Sequence, residues 1–314
     1  MKLLMFGNFF KKNIIIPIIA ISCGSQQIKD NKTIEMDKTN YSTSKEINYI
    51  PYYSEIYKAD SLYITKNYKQ SYKILDSLFK IYKPVDGWYV NVSRNYLISK
   101  SEVSIIDYND VQNYLYRKAY DTNDIFNDRS IVKLLEEFNI TKDDVDMIVK
   151  QNVSKINMPL RLEINKMNLD DQEVRKTIKN VDSIKKVDWQ HSERLKTIID
   201  TYGFPNKNVI GGYRVDGKSA RVDLSLIFNH ISYNGDYEFF KSKLPQLIKN
   251  GTCDPFNYAM MEDRRSEINS ELIKYYSIIA LDNKADKKII NANRKAIGLP
   301  SIEYQEFKKK VMSN

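Results

Sequence analysis

The sequence predicts an all-α protein, with an irregular helical hairpin domain followed by a second helical domain. Three observations support this. The chain holds only 10 glycines and 8 prolines in 314 residues, too few for the tight turns of a β-rich fold. Apolar and aromatic residues recur at three- and four-residue steps through most of the chain after Pro51. Helix start signals also stand where such stripes begin. Thr141 is followed by Asp143 and Asp144, and Asp254 by Pro255. The length gives room for one large or two ordinary domains with a substantial core.

The beginning of the chain follows another logic. Lys2, Lys11 and Lys12 precede an apolar run from Ile14 to Ile21. That run is too short to cross a hydrocarbon layer of ~30 Å, which takes about 20 residues, and it fits the apolar core of a cleaved signal. The next residues, Ala20-Ile21-Ser22-Cys23, resemble a bacterial lipobox. The resemblance implies removal of residues 1–22 as a lipoprotein signal peptide and acylation at Cys23. The chain would then be a membrane-anchored lipoprotein of the bacterial cell envelope, at the outer membrane or the periplasmic face. An ordinary secretory signal that happens to contain a cysteine is the alternative. Residues 23–50 are polar without a helical or strand period and read as a flexible tether.

Residues 51–158 read as a helical region. Tyr57, Leu62, Tyr63, Tyr68, Tyr72, Leu75, Leu78 and Phe79 fall at helical spacing, with a break at Lys66-Asn67 and a stop at Pro84. The run from Ala59 to Tyr63, the step from Asn67 to Ser71, and Pro84 loosely resemble one tetratricopeptide hairpin. Ser71 stands where an alanine is expected. A plain α-hairpin remains the other reading, since one repeat does not make a solenoid. Further helices are expected over Tyr108–Tyr120, Ser130–Phe138 and Thr141–Ile156, and Pro159 marks a boundary.

From 159 to 314 the chain reads as a second helical domain. Leu160, Ile164, Met167, Asp171, Val174 and Ile178 form one helical stripe with a carboxylate in its middle. A buried charge of that kind needs a partner. His191, Leu195, Ile198 and Tyr202 share a face of the next helix, one turn after Asp188, and Gly203 stops it. The stretch from Asn206 to Ser219 lacks phosphate-loop spacing and reads as a connection. A helix over Ser219–Ser232 would align Asp223 and His230 beside Leu224, Ile227, Phe228 and Ile231. A further helix over Tyr237–Ile248 is expected to kink or break near Pro245. After Asp254-Pro255, a stripe of Phe256, Ala259 and Met260 leads to Asp263.

Several ordered motifs here resemble a bacterial family of helical domains, domain of unknown function 6624. They are Met167 followed by Asp171-Gln172-Glu173-Val174-Arg175, then Asp188, Arg194-Leu195-Lys196, Ile198-Ile199 and Gly203-Phe204-Pro205. His230, Tyr258-Ala259, Asp263-Arg264, Asn293-Arg294-Lys295 and Ile297-Gly298-Leu299-Pro300 complete the series. The resemblance covers about Pro159 to Lys310 and brings no activity with it. Two departures stand out. Tyr275-Tyr276-Ser277-Ile278 lies where the family carries Tyr-Gly-Thr-Gln, and His191 lies where it tends to carry asparagine.

The candidate site is the set Asp171, Arg175, Asp188, His191, His230, Asp263 and Arg264. On one reading His230 is a general acid or base oriented by Asp171 or Asp263, and Arg264, Arg175, Asp188 and His191 bind a ligand. On the other, the same groups form a satisfied buried network that fixes helix register. No metal site is expected, because no His-x-x-x-His or Glu-x-x-His spacing occurs, and no cofactor is implied. Cys253 reads as a small buried hydrophobe, and Trp88 and Trp189 as core or interface filler.

The 49 basic and 40 acidic residues are scattered, so the net charge of +9 does not point to nucleic acid. Two cysteines far apart form no disulfide framework. The expectation is therefore a lipid-anchored envelope protein that serves as a protein-interaction module. Its partners would be the membrane, through Cys23, and an envelope protein. The alternative is a hydrolase-like enzyme using His230, Asp263 and Asp171.

Overall fold

A computed structural model describes residues 47–87, 90–233, 235–269, 275–278 and 286–313. The leader, Cys23, the tether up to residue 46 and Trp88 lie outside the described residues. The all-α expectation holds, with one two-stranded exception. In chain order the helices begin with α1 (Ile50–Ile64), α2 (Tyr68–Phe79), α3 (Val92–Ser101), α4 (Tyr108–Lys118) and α5 (Thr122–Phe126). They continue with α6 (Arg129–Glu137), α7 (Lys142–Val153) and α8 (Met158–Glu173), which runs into a π turn (Val174–Ile178). Then come α9 (Val181–Tyr202), α10 (Lys207–Ile210), β1 (Arg214–Val215), β2 (Lys218–Ser219) and α11 (Ser225–Ile231). The chain ends with α12 (Tyr237–Lys249), α13 (Pro255–Ile268), α14 (Lys287–Ile297) and α15 (Ile302–Met312). Among the described residues no helix is long and apolar enough to cross a membrane.

Local chemistry sets most helix ends. Thr141 and Asp144 form a capping box at α7, and Asp107 and Asp110 form one at α4. Asp254 accepts the Phe256 amide at 2.9 Å and starts α13, with Pro255 in its first turn. Lys66, at φ +60°, separates α1 from α2, as the break in the apolar pattern indicates. Ser71 is fully buried between those two helices and its hydroxyl donates to the Ala59 carbonyl at 2.9 Å.

Two apolar clusters form the core. One combines Tyr52, Tyr53 and Ile56 of α1 with Ile164, Leu195, Ile198, Phe228, Phe240 and Leu299, so it draws on both sides of Pro159. The other joins Leu97, Val111, Leu115, Ile131, Leu135, Val145 and Val149 of α3 to α7. Buried Asp60 ties α1 to distant elements. It accepts from Asn95 at 2.7 Å, and from Tyr304 and Lys308 of α15 at 2.7 Å each. Gly298 ends α14 at φ +84°, and a Cβ there would lie 2.7 Å from the Tyr53 ring. Glycine is required there both by the left-handed backbone and by this close approach.

Several expectations are corrected. The helix expected over Ser219–Ser232 is shorter, starting at Ser225, because the chain before it forms the β1–β2 hairpin and an irregular run. Asp223 caps that start instead of lying along the helix, accepting the Ser225 amide at 2.9 Å and its hydroxyl at 2.8 Å. Asp216 and Gly217, at φ +48° and +72°, make the hairpin turn that an Asp-Gly pair favours. The α12 helix continues through Pro245. Trp189 is exposed, not core filler, and Tyr202 and Ile178 are exposed although their stripes are otherwise buried.

The hairpin is organised around a buried arginine. Arg161 of α8 donates from Nη1 to the carbonyls of Ile210 (2.9 Å) and Gly212 (2.5 Å). Its Nη2 reaches those of Tyr213 (3.0 Å) and Lys218 (3.5 Å). The turn itself docks on the α4–α5 connection, where the Gly217 amide donates to Asp121 at 2.6 Å and the Asp216 amide to the Tyr120 carbonyl at 2.9 Å. Replacing Arg161 with methionine removes the donor these carbonyls share, although that of Tyr213 still accepts the Ala220 amide at 2.8 Å. The Arg161→Met protein should lose about 3 kcal/mol in urea unfolding, and Arg161→Lys, which cannot fork, should recover only part of that.

Candidate functional site

Four of the expected residues meet. Asp171, in the last turn of α8, is 1% exposed. Its Oδ1 lies 2.7 Å from Nη1 of Arg175, and its Oδ2 accepts from Gln172 at 2.8 Å. The other arm of Arg175 donates to Asp188 of α9 at 2.6 Å, so one guanidinium bridges two carboxylates. Nε2 of His230, from α11, stands 3.5 Å from the same Asp171 oxygen.

The chain leaves the regular helix just beyond these residues. The Lys179 amide donates to the Val174 carbonyl at 2.9 Å, a five-residue step in place of four. Up to there the spacing is regular, with the Val174 amide bonded to the Asp170 carbonyl and Arg175 reaching Asp171 one turn back, whereas Ile178, past the wide step, faces solvent. A regular helix would have buried Ile178, which is why the sequence stripe misplaces it.

Burial sets the protonation of both histidines. Loss of water pushes His230 down to about 4, against the pull of Asp171, with Arg175 and Arg264 adding to the lowering. His191 is also buried and lowered, chiefly by desolvation. Desolvation raises Asp188 from its ordinary value despite its bond to Arg175. At neutral pH the site therefore holds two neutral imidazoles, with the Asp171–Arg175–Asp188 bridge behind them.

Arg264 sits on the other side of His230. Its guanidinium carbon lies 5.4 Å from the centre of the Tyr233 ring, which stacks 6.4 Å from the imidazole. It pairs with Glu267, and its buried Nε has no hydrogen-bond partner among the described residues. Asp263, on the same helix, belongs to a second polar centre. Fully buried, it accepts the amides of Tyr276 (2.7 Å) and Ile278 (2.6 Å). Arg294 closes that centre by donating to the carbonyls of Tyr276 (2.7 Å), Ser277 (3.3 Å) and Pro300 (3.0 Å). Burial brings Arg294 down to about 10. This clamp holds Ser277 at φ +49°, a backbone that favours glycine.

Oxygens of Asp171 and Asp188 and a ring nitrogen of His230 all lie within 4.8 Å of one another, a donor set of the kind that binds divalent cations. The Arg175 guanidinium already bridges both carboxylates, so a cation would have to displace it. Two clefts elsewhere are lined by other residues, one by Tyr237, Glu262, Arg265 and Tyr275, the other by Asp121, Lys142, Asp146 and Gly217.

Sequence reasoning singled out neither Arg161 as a buried group nor Gln172 and Tyr233 as members of the site. Arg161 could have been suspected, because it falls seven residues before Asn168 and ten before Asp171, both buried, on one side of α8. Cys253 is buried and its thiol is pushed well up by desolvation. No protein-family model, curated protein or solved structure matches the chain.

His230 gives the site a pH signature. Its folded pKa of about 4 lies below the ordinary 6.5, so the stability it contributes is present above pH 6.5. That contribution is lost as pH falls toward 4, by on the order of 2–3 kcal/mol. Asp254, pushed up to about 6 by burial, acts with the opposite sign in the same window. The difference between wild type and His230→Gln isolates the histidine: the variant should gain on wild type between pH 7 and pH 4 in thermal unfolding, and parallel profiles would refute the assignment.

Proposed function

We propose that the chain is a lipid-anchored cell-envelope protein acting as a protein-interaction module. The reading rests on an apolar corner between α3 and α4, where Ile105 is 92% exposed and its neighbours Val103 and Tyr108 also face solvent. Single exposed apolar residues are ordinary, whereas a run of them concentrated in one connection presents a contact area for another chain. The α1–α2 hairpin, which resembles a tetratricopeptide unit, shares its core with α8, α9 and α11, so the module works as one body. Attachment in this reading is through acyl chains on Cys23, supported by the lipobox resemblance and by the polar stretch that follows it. The motifs resembling domain of unknown function 6624 support a common helical scaffold and suggest no reaction.

The hydrolase-like alternative has one supporting observation, a neutral imidazole with a buried carboxylate 3.5 Å behind it. Against it, Asp171 is bonded to Arg175 and Gln172, and Asp263 to two backbone amides. An acid already holding those partners is a scaffold element more than a reagent.

Two measurements test the proposal. Cells fed labelled palmitate should label the wild type and not Cys23→Ala, and an unlabelled wild type would remove the acyl anchor. A photo-crosslinking residue at position 105 should yield one discrete protein adduct in intact cells, and the same probe at the exposed Lys309 should not. Equal labelling from both positions would refute the corner as the contact surface.

A further inference from the structure

The α8–α9 pair extends past the core. Val174 and His191 are buried, yet none of the sixteen residues between them, Arg175 to Gln190, is. Residues 176 to 182 are all exposed, so the π turn and the first turn of α9 form a projecting tip. Ten residues of α9, about 15 Å of helix, continue that projection before its first buried side chain.

The composition of the tip is specific. Ile178 is 53% exposed, Val181 62% and Trp189 57%. Val181, Lys185 and Trp189 follow one another at four-residue steps along the outer stripe of α9, with Lys186 beside them. Lys176 and Lys179 flank Ile178 at the end. None of these four lysines makes an ion pair among the described residues, and the only exposed acids in the stretch are Glu173 and Asp182. Arg175 and Asp188 neutralise one another within the site described above.

We propose that this tip docks on an anionic lipid surface. Aliphatic side chains and a tryptophan surrounded by unpaired lysines are what the headgroup region takes up. The apolar groups enter the acyl boundary, tryptophan lies at the interface, and lysine stems extend to the phosphates. A bilayer needs neither a groove nor a fixed set of directional hydrogen bonds. The π turn lies between the surface and the interior, since Ile178 faces outward at its end while Arg175, near its start, bridges Asp171 and Asp188. This docking does not depend on acylation at Cys23.

The test uses the full chain carrying Trp88→Phe, which leaves Trp189 as its one tryptophan. Vesicles of phosphatidylcholine alone, or mixed with phosphatidylglycerol, carry bromine on the acyl chains to quench an immersed indole. With the mixed vesicles, Trp189 emission should shift to the blue and be quenched. Lys185→Glu with Lys186→Glu, on the exposed stripe, should raise the lipid concentration for half-quenching about tenfold while leaving the circular dichroism spectrum unchanged. The leader is present in every sample, so the comparison of wild type with the Lys185→Glu, Lys186→Glu variant reports on the tip. Unchanged Trp189 emission, or equal quenching with and without phosphatidylglycerol, would overturn the proposal.

Discussion

Asp60, Asp121, Arg161, Asp171, Asp263 and Arg294 lie almost fully out of water, and what each must be bonded to dictates how the helices assemble. A buried charge without partners costs several kcal/mol, more than any single apolar contact returns. Most of these groups are therefore answered by atoms well away in the chain, and Asp171 by Arg175 one turn on, which carries the link to Asp188. Asp60 is met by Asn95, Tyr304 and Lys308, Arg161 by the carbonyls around the hairpin, and Arg294 by those of Tyr276, Ser277 and Pro300. Apolar burial supplies the driving force, but it is non-directional and would permit many helix arrangements. These bonds select one of them.

The π turn after α8 is where that selection meets the surface. Arg175 reaches Asp171 at the ordinary four-residue step and spans to Asp188, while the wide step that follows carries Ile178 off the buried stripe, beside two lysines. The buried acid bridge and the projecting tip thus adjoin along one stretch of chain. His230 and His191 are kept neutral next to this bridge by their burial, which makes the centre sensitive to acid whatever its role.

A module carried on a lipid anchor, with one apolar corner for a protein and one cationic tip for the bilayer, would be held in a fixed orientation at the membrane. The two surfaces belong to different parts of the chain, the corner to the α3–α4 connection and the tip to the α8–α9 pair, so either can be altered without touching the other. The tight internal pairing of the two polar centres fits such a role, since rigid presentation of surfaces asks for a core that does not rearrange.

Fold class and several helix limits follow from the sequence alone, because these depend on neighbours. Three- and four-residue apolar steps, Thr141, Asp254-Pro255, the Lys66-Asn67 break and Gly203 act within a turn or two of chain. The sequence also marked Asp171 as an acid on an apolar stripe and offered Arg175, Asp188, His191, His230, Asp263 and Arg264 as candidates to join it, without selecting among them. Tertiary structure decided the rest. It placed α1 in one core with α8, α9 and α11, separated Asp263 into the clamp with Arg294, and put Arg161 inside the hairpin. These outcomes depend on atoms tens to hundreds of residues apart, about which a local periodicity holds no information. The exposure of Trp189 and Ile178 has the same origin, since helical spacing gives the angle of a side chain but only the packed neighbours decide whether anything covers it.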